Sequence, residues 1–443
     1  MTDLPKRAVT RSAKLASLPL SFAGRQALGV GKRVGGRPAE AVTAEIQRAT
    51  AEQVFRVLGE LKGGAMKVGQ AMSVFEAALP DELAGPYRAT FVKLQEGAPP
   101  MEEATVRGVL AETFGRQWRR RFQSFDETPA AAASIGQVHR AVWKDGTDVA
   151  VKVQYPGAEQ ALQADLNQVV RMARLFSVVI PGMDVKPLVE ELRERMVEEL
   201  DYSLEREAQR AFAAAYDGDP EYAIPRVLDG GQHVVVSEWM EGTPLAKVIA
   251  EGSPEERDHA GQLYVAFMFA SPARVGMLHG DPHPGNFRVL ADGRLGVLDF
   301  GAVARLPGGL PPSIGTLLGV ALSGDAATVE TGLRAEGFIK PKVSLDAESL
   351  LGYLGPFVEP GSVPRFRFDR PWMQAQFRRI NDPRTENWST GLKLNLPPEY
   401  MLIHRVWLGG IGVLCQLEAE VSVRQELDRW LPGFREAAPP LQV

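Results

Sequence analysis

The chain has 443 residues, 45% of them hydrophobic and 24% charged. That is an ordinary globular balance, long enough for roughly two to three domains, and it excludes an intrinsically disordered protein. A net charge of −5 offers no global attraction for nucleic acid, and the single cysteine, Cys415, excludes intrachain disulfides and cysteine metal clusters.

Residues 1–40 form a basic arm, with Lys6, Arg7, Arg11, Lys14, Arg25, Lys32, Arg33 and Arg37 against Asp3 and Glu40. A solvated tail is the simpler reading, and contact with an anionic lipid surface is the alternative. The N-terminus lacks the continuous apolar core of a signal peptide, and no run approaches 18 uninterrupted apolar residues. Val406–Leu417 comes nearest and reads as a buried helix. A cytoplasmic protein, with peripheral membrane association as the variant, is expected.

Residues 40–75 carry a helical apolar period, interrupted at Gly63-Gly64, and Leu79-Pro80-Asp81 ends that unit. After the loop Gly97-Ala98-Pro99-Pro100 another helix starts near Met101. From about residue 122 the texture changes. Gln137–Trp143 and Asp148–Gln154 alternate like strands, and Lys144-Asp145-Gly146-Thr147 between them is a hairpin signal. The chain then reads as helical to about residue 215, with a break at Pro181-Gly182. Val234-Val235-Val236 is a further strand. Beyond it helical patterns dominate at Glu255–Val275, Ile314–Gly324, Ala326–Gly337 and Pro398–Glu420. This is the order of a two-lobed α+β fold.

His279-Gly280-Asp281-Pro282-His283-Pro284-Gly285-Asn286, followed by Asp299-Phe300-Gly301, carries the chemistry. Asp281 is a candidate base for an incoming hydroxyl. Asn286 and Asp299 are candidate Mg²⁺ ligands, and together these are the parts that phosphoryl transfer from Mg-ATP requires. The prolines stiffen the loop and disfavour helix. His283 has no second clustered histidine and reads as structural. Upstream, Val149-Ala150-Val151-Lys152-Val153 is a strand that presents Lys152 for the α- and β-phosphates. An acid-rich helix at 198–207 offers it a partner; Asp201 shares a face with Glu198 and Glu205, and Glu205 is preferred. Where phosphates are usually covered by a Gly-rich loop, this chain reads Ala130-Ala131-Ala132-Ala133-Ser134. The added methyl groups restrict backbone approach to a nucleotide. Ala131, Ala132, Ala133 and Ser134, with Glu238 and Met240 after the Val234 strand, are the expected nucleotide contacts.

Taken together, the alanine run, the Val-Ala-Val-Lys-Val strand, Glu199-Leu200-Asp201 and His-Gly-Asp-Pro-His-Pro-Gly-Asn resemble the UbiB/AarF family of atypical kinases. Lys67-Val68-Gly69-Gln70 looks like that family's Lys-x-Gly-Gln signature. The resemblance covers about residues 45–310. It implies a protein-kinase-like fold with a small β-rich N-lobe at 116–236 and a larger helical C-lobe at 237–443. It also implies an N-terminal helical extension at 41–115. In that reading Lys67 and Gln70 enter the site and block protein substrates, Gly69 belongs to the same regulatory motif, and Glu199 and Asp201 engage the extension. Glu205 sits at the lysine-pairing position. The resemblance implies ATP or ADP with Mg²⁺ as cofactors, and a role in quinone or isoprenoid-lipid metabolism. Two departures stand out: Ala208-Gln209 where many members carry Asn, and no terminal membrane-spanning segment of the kind several members have.

Overall fold

The computed structural model describes residues 100–133, 135–160, 197–381 and 386–441. The basic arm, most of the expected extension including Lys67, Gly69 and Gln70, and Ser134 lie outside the described residues. So does most of the expected helix between 161 and 196.

The first element is helix α1 (Glu103–Phe114), which ends at Gly115 with φ +83°, where a left-handed residue costs least without a Cβ. A 3₁₀ turn (Trp118–Arg121) leads into strands β1 (Phe122–Ala133), β2 (Gly136–Trp143) and β3 (Asp148–Gln154). Helix α2 (Tyr202–Ala215) follows, then β4 (Tyr222–Ala223), β5 (Val227–Gly230) and β6 (Val234–Glu238). Five strands form one sheet in the order β1-β2-β3-β6-β5, and all its pairs are antiparallel. The β2–β3 turn is the expected hairpin, with Gly146 at φ +95° and the Asp145 carboxylate accepting the Thr147 N–H.

The alanine run is a correction to expectation. Ala131, Ala132 and Ala133 are not a free loop but the end of β1, paired with Val138, Gln137 and Gly136. Alanine has no φ > 0 preference to break a ladder, so the strand continues to the turn. Irregular register at residues 122–131 bends this long strand over the sheet.

Strand pleating divides the sheet chemically. Val149, Val151, Val153, Val234 and Val236 face outward and are buried by Val106, Val109 and Leu110 of α1. Lys152 is left on the opposite face. A buried polar chain ties this outer layer together: the Met101 N–H donates to Gln137 Oε1, the Gln137 amide to His139 Nε2, and His139 Nδ1–H to the Asp126 carbonyl. Because Leu110 is 0% exposed, Leu110→Ala should destabilise the protein by about 2–5 kcal/mol through lost transfer energy and a residual cavity. Urea unfolding measures it; a midpoint unchanged from wild type would show that α1 is not part of the cooperative unit.

The chain crosses to the second lobe through β7 (Thr243–Pro244) and α3 (Leu245–Glu251). Helix α4 (Pro254–Val275) starts at a capping box, Ser253 with Glu256, and stops at left-handed Gly276. Short strands β8 (Met277–His279), β9 (Phe287–Val289), β10 (Leu295–Val297) and β11 (Val303–Arg305) lie on it. They make two small sheets, β4-β10-β9-β7 and β11-β8. The rest is mainly helical: α5 (Pro312–Ser323), α6 (Ala326–Ala335), α7 (Ala347–Val358), α8 (Arg370–Asn381), α9 (Glu386–Lys393) and α10 (Pro398–Leu417). A two-stranded ribbon of β12 (Phe366–Arg367) and β13 (Glu420–Val421) precedes α11 (Val423–Trp430) and α12 (Phe434–Ala437).

Helix α10 is long and apolar enough to cross a membrane, yet 61% of its apolar window is buried inside the fold. It packs with α4 into the main core, beside Phe212, Tyr264, Phe267, Phe287 and Phe300. His404, on α10 and against the Phe357 ring, is held by burial at about 4, below the ordinary imidazole value of 6.5. The unfolded chain therefore takes up a proton at that site between pH 6.5 and 4 while the folded chain does not. Stability should be level above pH 7 and decline as pH falls through that window. Thermal melts of His404→Phe, showing a shallower decline than wild type, are the check.

Candidate nucleotide and phosphoryl-transfer site

Lys152 sits mid-strand in β3 and faces the cleft, with 15% of its side chain exposed. Helix α2 presents the partner. Asp201 caps its N-terminus by accepting the Ser203 N–H at 2.9 Å, which places Glu205 one turn inside. Lys152 Nζ donates to both Glu205 oxygens, at 2.7 and 2.9 Å, and to Asp299 Oδ2 at 3.1 Å. Helical and strand geometry together thus select Glu205 among the acids of 198–207.

Burial alone would lower the Lys152 pKa, but the Asp299 and Glu205 carboxylates hold it well above its usual value. Burial also pushes the Glu205 carboxyl up to about 7, with the Lys152 ammonium limiting the rise. Burial would raise Asp299 too, yet the Lys152 ammonium and the Gly301 N–H bring it down to about 2. Asp299 is therefore ionised throughout the physiological range. Gly301 sits close against the site: a Cβ there would stand 3.2 Å from Asp299 Oδ1 and 3.3 Å from Glu205 Oε2, so a larger residue would push on both carboxylates.

Strand β8 carries His279 into the core and delivers Asp281 just beyond it. The His279 ring is enclosed by Phe267, Phe287 and Phe300 and donates from Nε2 to the Asp299 carbonyl. Burial lowers its pKa, so it stays neutral. It is the strut that fixes the Asp281 loop against the Asp299 turn, a role the sequence reading did not assign to it. The only advance signal was its place two residues before Asp281. Tyr264 donates its hydroxyl to the Pro282 carbonyl at 2.8 Å and pins the proline-stiffened loop. His283 is occupied locally, its Nδ1 accepting the Gly285 N–H.

Asn286, in the 3₁₀ turn Pro284–Asn286, donates Nδ2 to the Asp281 carbonyl at 3.2 Å. Among the described residues no donor reaches its amide oxygen, which could face a cation. Among the described residues no group of three or more His, Cys, Asp or Glu is arranged to hold a metal ion. That fits Mg²⁺ held by one carboxylate, one amide oxygen and a nucleotide's phosphates rather than by an all-protein cage.

Glu238 and Met240 lie where the sheet passes to the second lobe, but their side chains turn away from the cleft. The Glu238 carboxylate accepts from the Arg226 N–H and Nε–H, at 2.9 and 2.8 Å. Met240 packs so closely behind the segment that a Cβ on Gly296 would stand 2.2 Å from its sulfur. What this segment can offer a base is backbone, and the Met240 N–H has no hydrogen-bond partner among the described residues. Glu199 borders a small cleft with Leu204 and Phe300 beside α2. The partners expected for Glu199 and Asp201 on the extension lie outside the described residues.

A five-stranded antiparallel lobe on a helical lobe, with a lysine–glutamate pair, an Asp-x₄-Asn loop and an Asp-Phe-Gly turn converging between them, defines a protein-kinase-like protein. Residues 93–331 match the ABC1 atypical kinase-like domain. The chain belongs to that family, the UbiB/AarF atypical kinases. It is similar to the mitochondrial atypical kinase coq-8 of Caenorhabditis elegans, 29% identical over 68% of this chain and 41% of that protein. It is also similar to the uncharacterized protein slr1919 of Synechocystis, 30% identical over 68% of this chain and 53% of that one. The chain thus spans about half the length of these curated relatives. The solved erythromycin complex of Rv3197 from Mycobacterium tuberculosis is 43% identical, with a TM-score of 0.67. That match covers 91% of this chain and 100% of the other.

Proposed function

We propose that this protein binds Mg-ATP between its lobes and acts as an atypical kinase or ATPase in quinone or isoprenoid-lipid metabolism, not on polypeptides. The single observation that carries the reading is the convergence of Lys152, Glu205 and Asp299 within hydrogen-bond distance. In this reading Lys152 holds the α- and β-phosphates, Asp299 and Asn286 hold Mg²⁺, and Asp281 orients the attacking group. The bound Mg²⁺ would offset phosphate charge.

The segment after Asp299 supports a small acceptor. Residues 300–312 contain no Ser, Thr or Tyr, so no phosphorylation can reorganise them. They run back along β8, with Gly280 N–H donating to Ala302 O and Leu306 N–H to Gly276 O, both at 2.7 Å. A peptide-docking platform needs a longer, freer segment. The relative captured with erythromycin favours a bulky small molecule as well. The same observation suits a second reading, a nucleotide-switched lipid-binding regulator with negligible turnover.

Calorimetry with Mg-ATP, and with ATP in EDTA, tests the first reading. Binding that weakens without Mg²⁺ is expected; folded protein that binds no nucleotide at millimolar concentration would refute it. Flotation with isoprenoid-containing liposomes, with and without nucleotide, separates the regulator from the enzyme.

A further inference from the structure

Tyr202 opens α2 three residues before Glu205, so the two side chains lie on one side of the helix. It is 1% exposed and packs with Ile135 and Val235. The Lys152 ammonium stands 5.1 Å from the centre of its ring, within cation–π range. Its hydroxyl reaches the turn that joins β1 to β2: a Cβ built on Gly136 would lie 2.8 Å from that oxygen. Gly136 pairs with Gln154 and Val138 with Lys152. By strand alternation these four residues share the cleft face of the sheet. The hydroxyl therefore sits on the face of Lys152, two residue pairs nearer the turn.

That hydroxyl is buried and has no hydrogen-bond partner among the described residues. An unmatched buried donor is costly, and folds retain few of them. Burial also pushes the phenol up from its ordinary pKa, so it stays protonated. Here a permanent O–H donor, lacking an acceptor, adjoins the lysine assigned to phosphate under the turn at the end of the alanine strand.

We propose that Tyr202 is a nucleotide-phosphate ligand, its ring seating the Lys152 ammonium and its hydroxyl donating to a phosphate oxygen held by that lysine. The proposal rests on the reading of the cleft as an ATP site. It assigns to the first residue of α2 part of the phosphate recognition that a Gly-rich loop would supply through backbone N–H groups.

Tyr202→Phe is the informative substitution because it keeps the ring and deletes only the unmatched hydroxyl. Calorimetry with Mg-ATP and with adenosine, plus melting without ligand, reads three quantities. ATP affinity should fall about tenfold or more, as for loss of a hydrogen bond to a charged group. Adenosine affinity should stay within about twofold. The melting temperature should hold or rise, since a buried orphan is gone. A purely structural tyrosine predicts the reverse pattern, lower stability with no phosphate-specific change. Unchanged ATP affinity, or equal losses for ATP and adenosine, would overturn the proposal. Tyr202→Leu, which also removes the ring, should weaken ATP further and spare adenosine. Wild-type protein that binds neither ligand would instead bring down the ATP-site reading itself, and this assignment with it.

Discussion

Asp281→Asn should reduce ATP turnover by about 10²–10⁴-fold, the range for removing a positioned acid–base group, and leave Mg-ATP affinity within about twofold. The structure separates the two effects. Lys152 pairs with Glu205 and with Asp299, and among the described residues not with the Asp281 carboxylate. The loop around residue 281 is held by Tyr264, by Asn286 binding the Asp281 carbonyl, and by the prolines. Asparagine changes neither the backbone nor those bonds. ADP release and calorimetry on the same preparation are the measurements. Turnover retained at the wild-type rate would remove Asp281 from the chemistry and favour the regulator reading.

Asp299→Asn should act on binding and turnover together. Asp299 is one of two carboxylates neutralising Lys152, and the one held well below the ordinary carboxylate range. Its loss leaves Lys152 with Glu205 alone and withdraws the only anionic side chain proposed for Mg²⁺. Turnover should drop by about 10²–10³-fold or more, and nucleotide affinity should cease to depend on Mg²⁺. Titrations with and without EDTA that still differ in the variant would show that the metal is held elsewhere. A modest loss of stability is also expected, because a partly buried ammonium loses one of its partners.

Much of this site was legible in advance because its pieces are short motifs with rigid local geometry. A lysine in an alternating strand must face away from its valine neighbours, and a loop with prolines at 282 and 284 cannot be helix. The hairpin at Asp145-Gly146 and the long helices of the second lobe were legible for the same reason. Helices α7, α8 and α9 were not anticipated. Gly355 and Pro356, both poor helix formers, lie inside the first, and Arg370–Asn381 is largely polar, so composition argued against a buried helix at either place. The alanine run was read as a loop, whereas ladder pairing with β2 draws it into β1, because tertiary context overrides weak local propensity.

By itself the sequence determined the chemical inventory and its order: one lysine strand, one acid-rich helix, one Asp-x₄-Asn loop and one Asp-Phe-Gly turn, each set by local sterics and periodicity. Only the tertiary structure decided which acid meets Lys152, since Glu198, Asp201 and Glu205 are equally available to a strand drawn in isolation. It decided that Asp201 caps the helix, that Glu238 and Met240 turn their side chains away, and that His279 braces the site from within an aromatic core. It also placed the Tyr202 hydroxyl beside the lysine, with no acceptor among the described residues. Apart from the Asp201 cap, which is local, those outcomes depend on contacts between residues a dozen to more than a hundred positions apart, such as Lys152 with Asp299. They are fixed by packing and burial rather than by any local pattern.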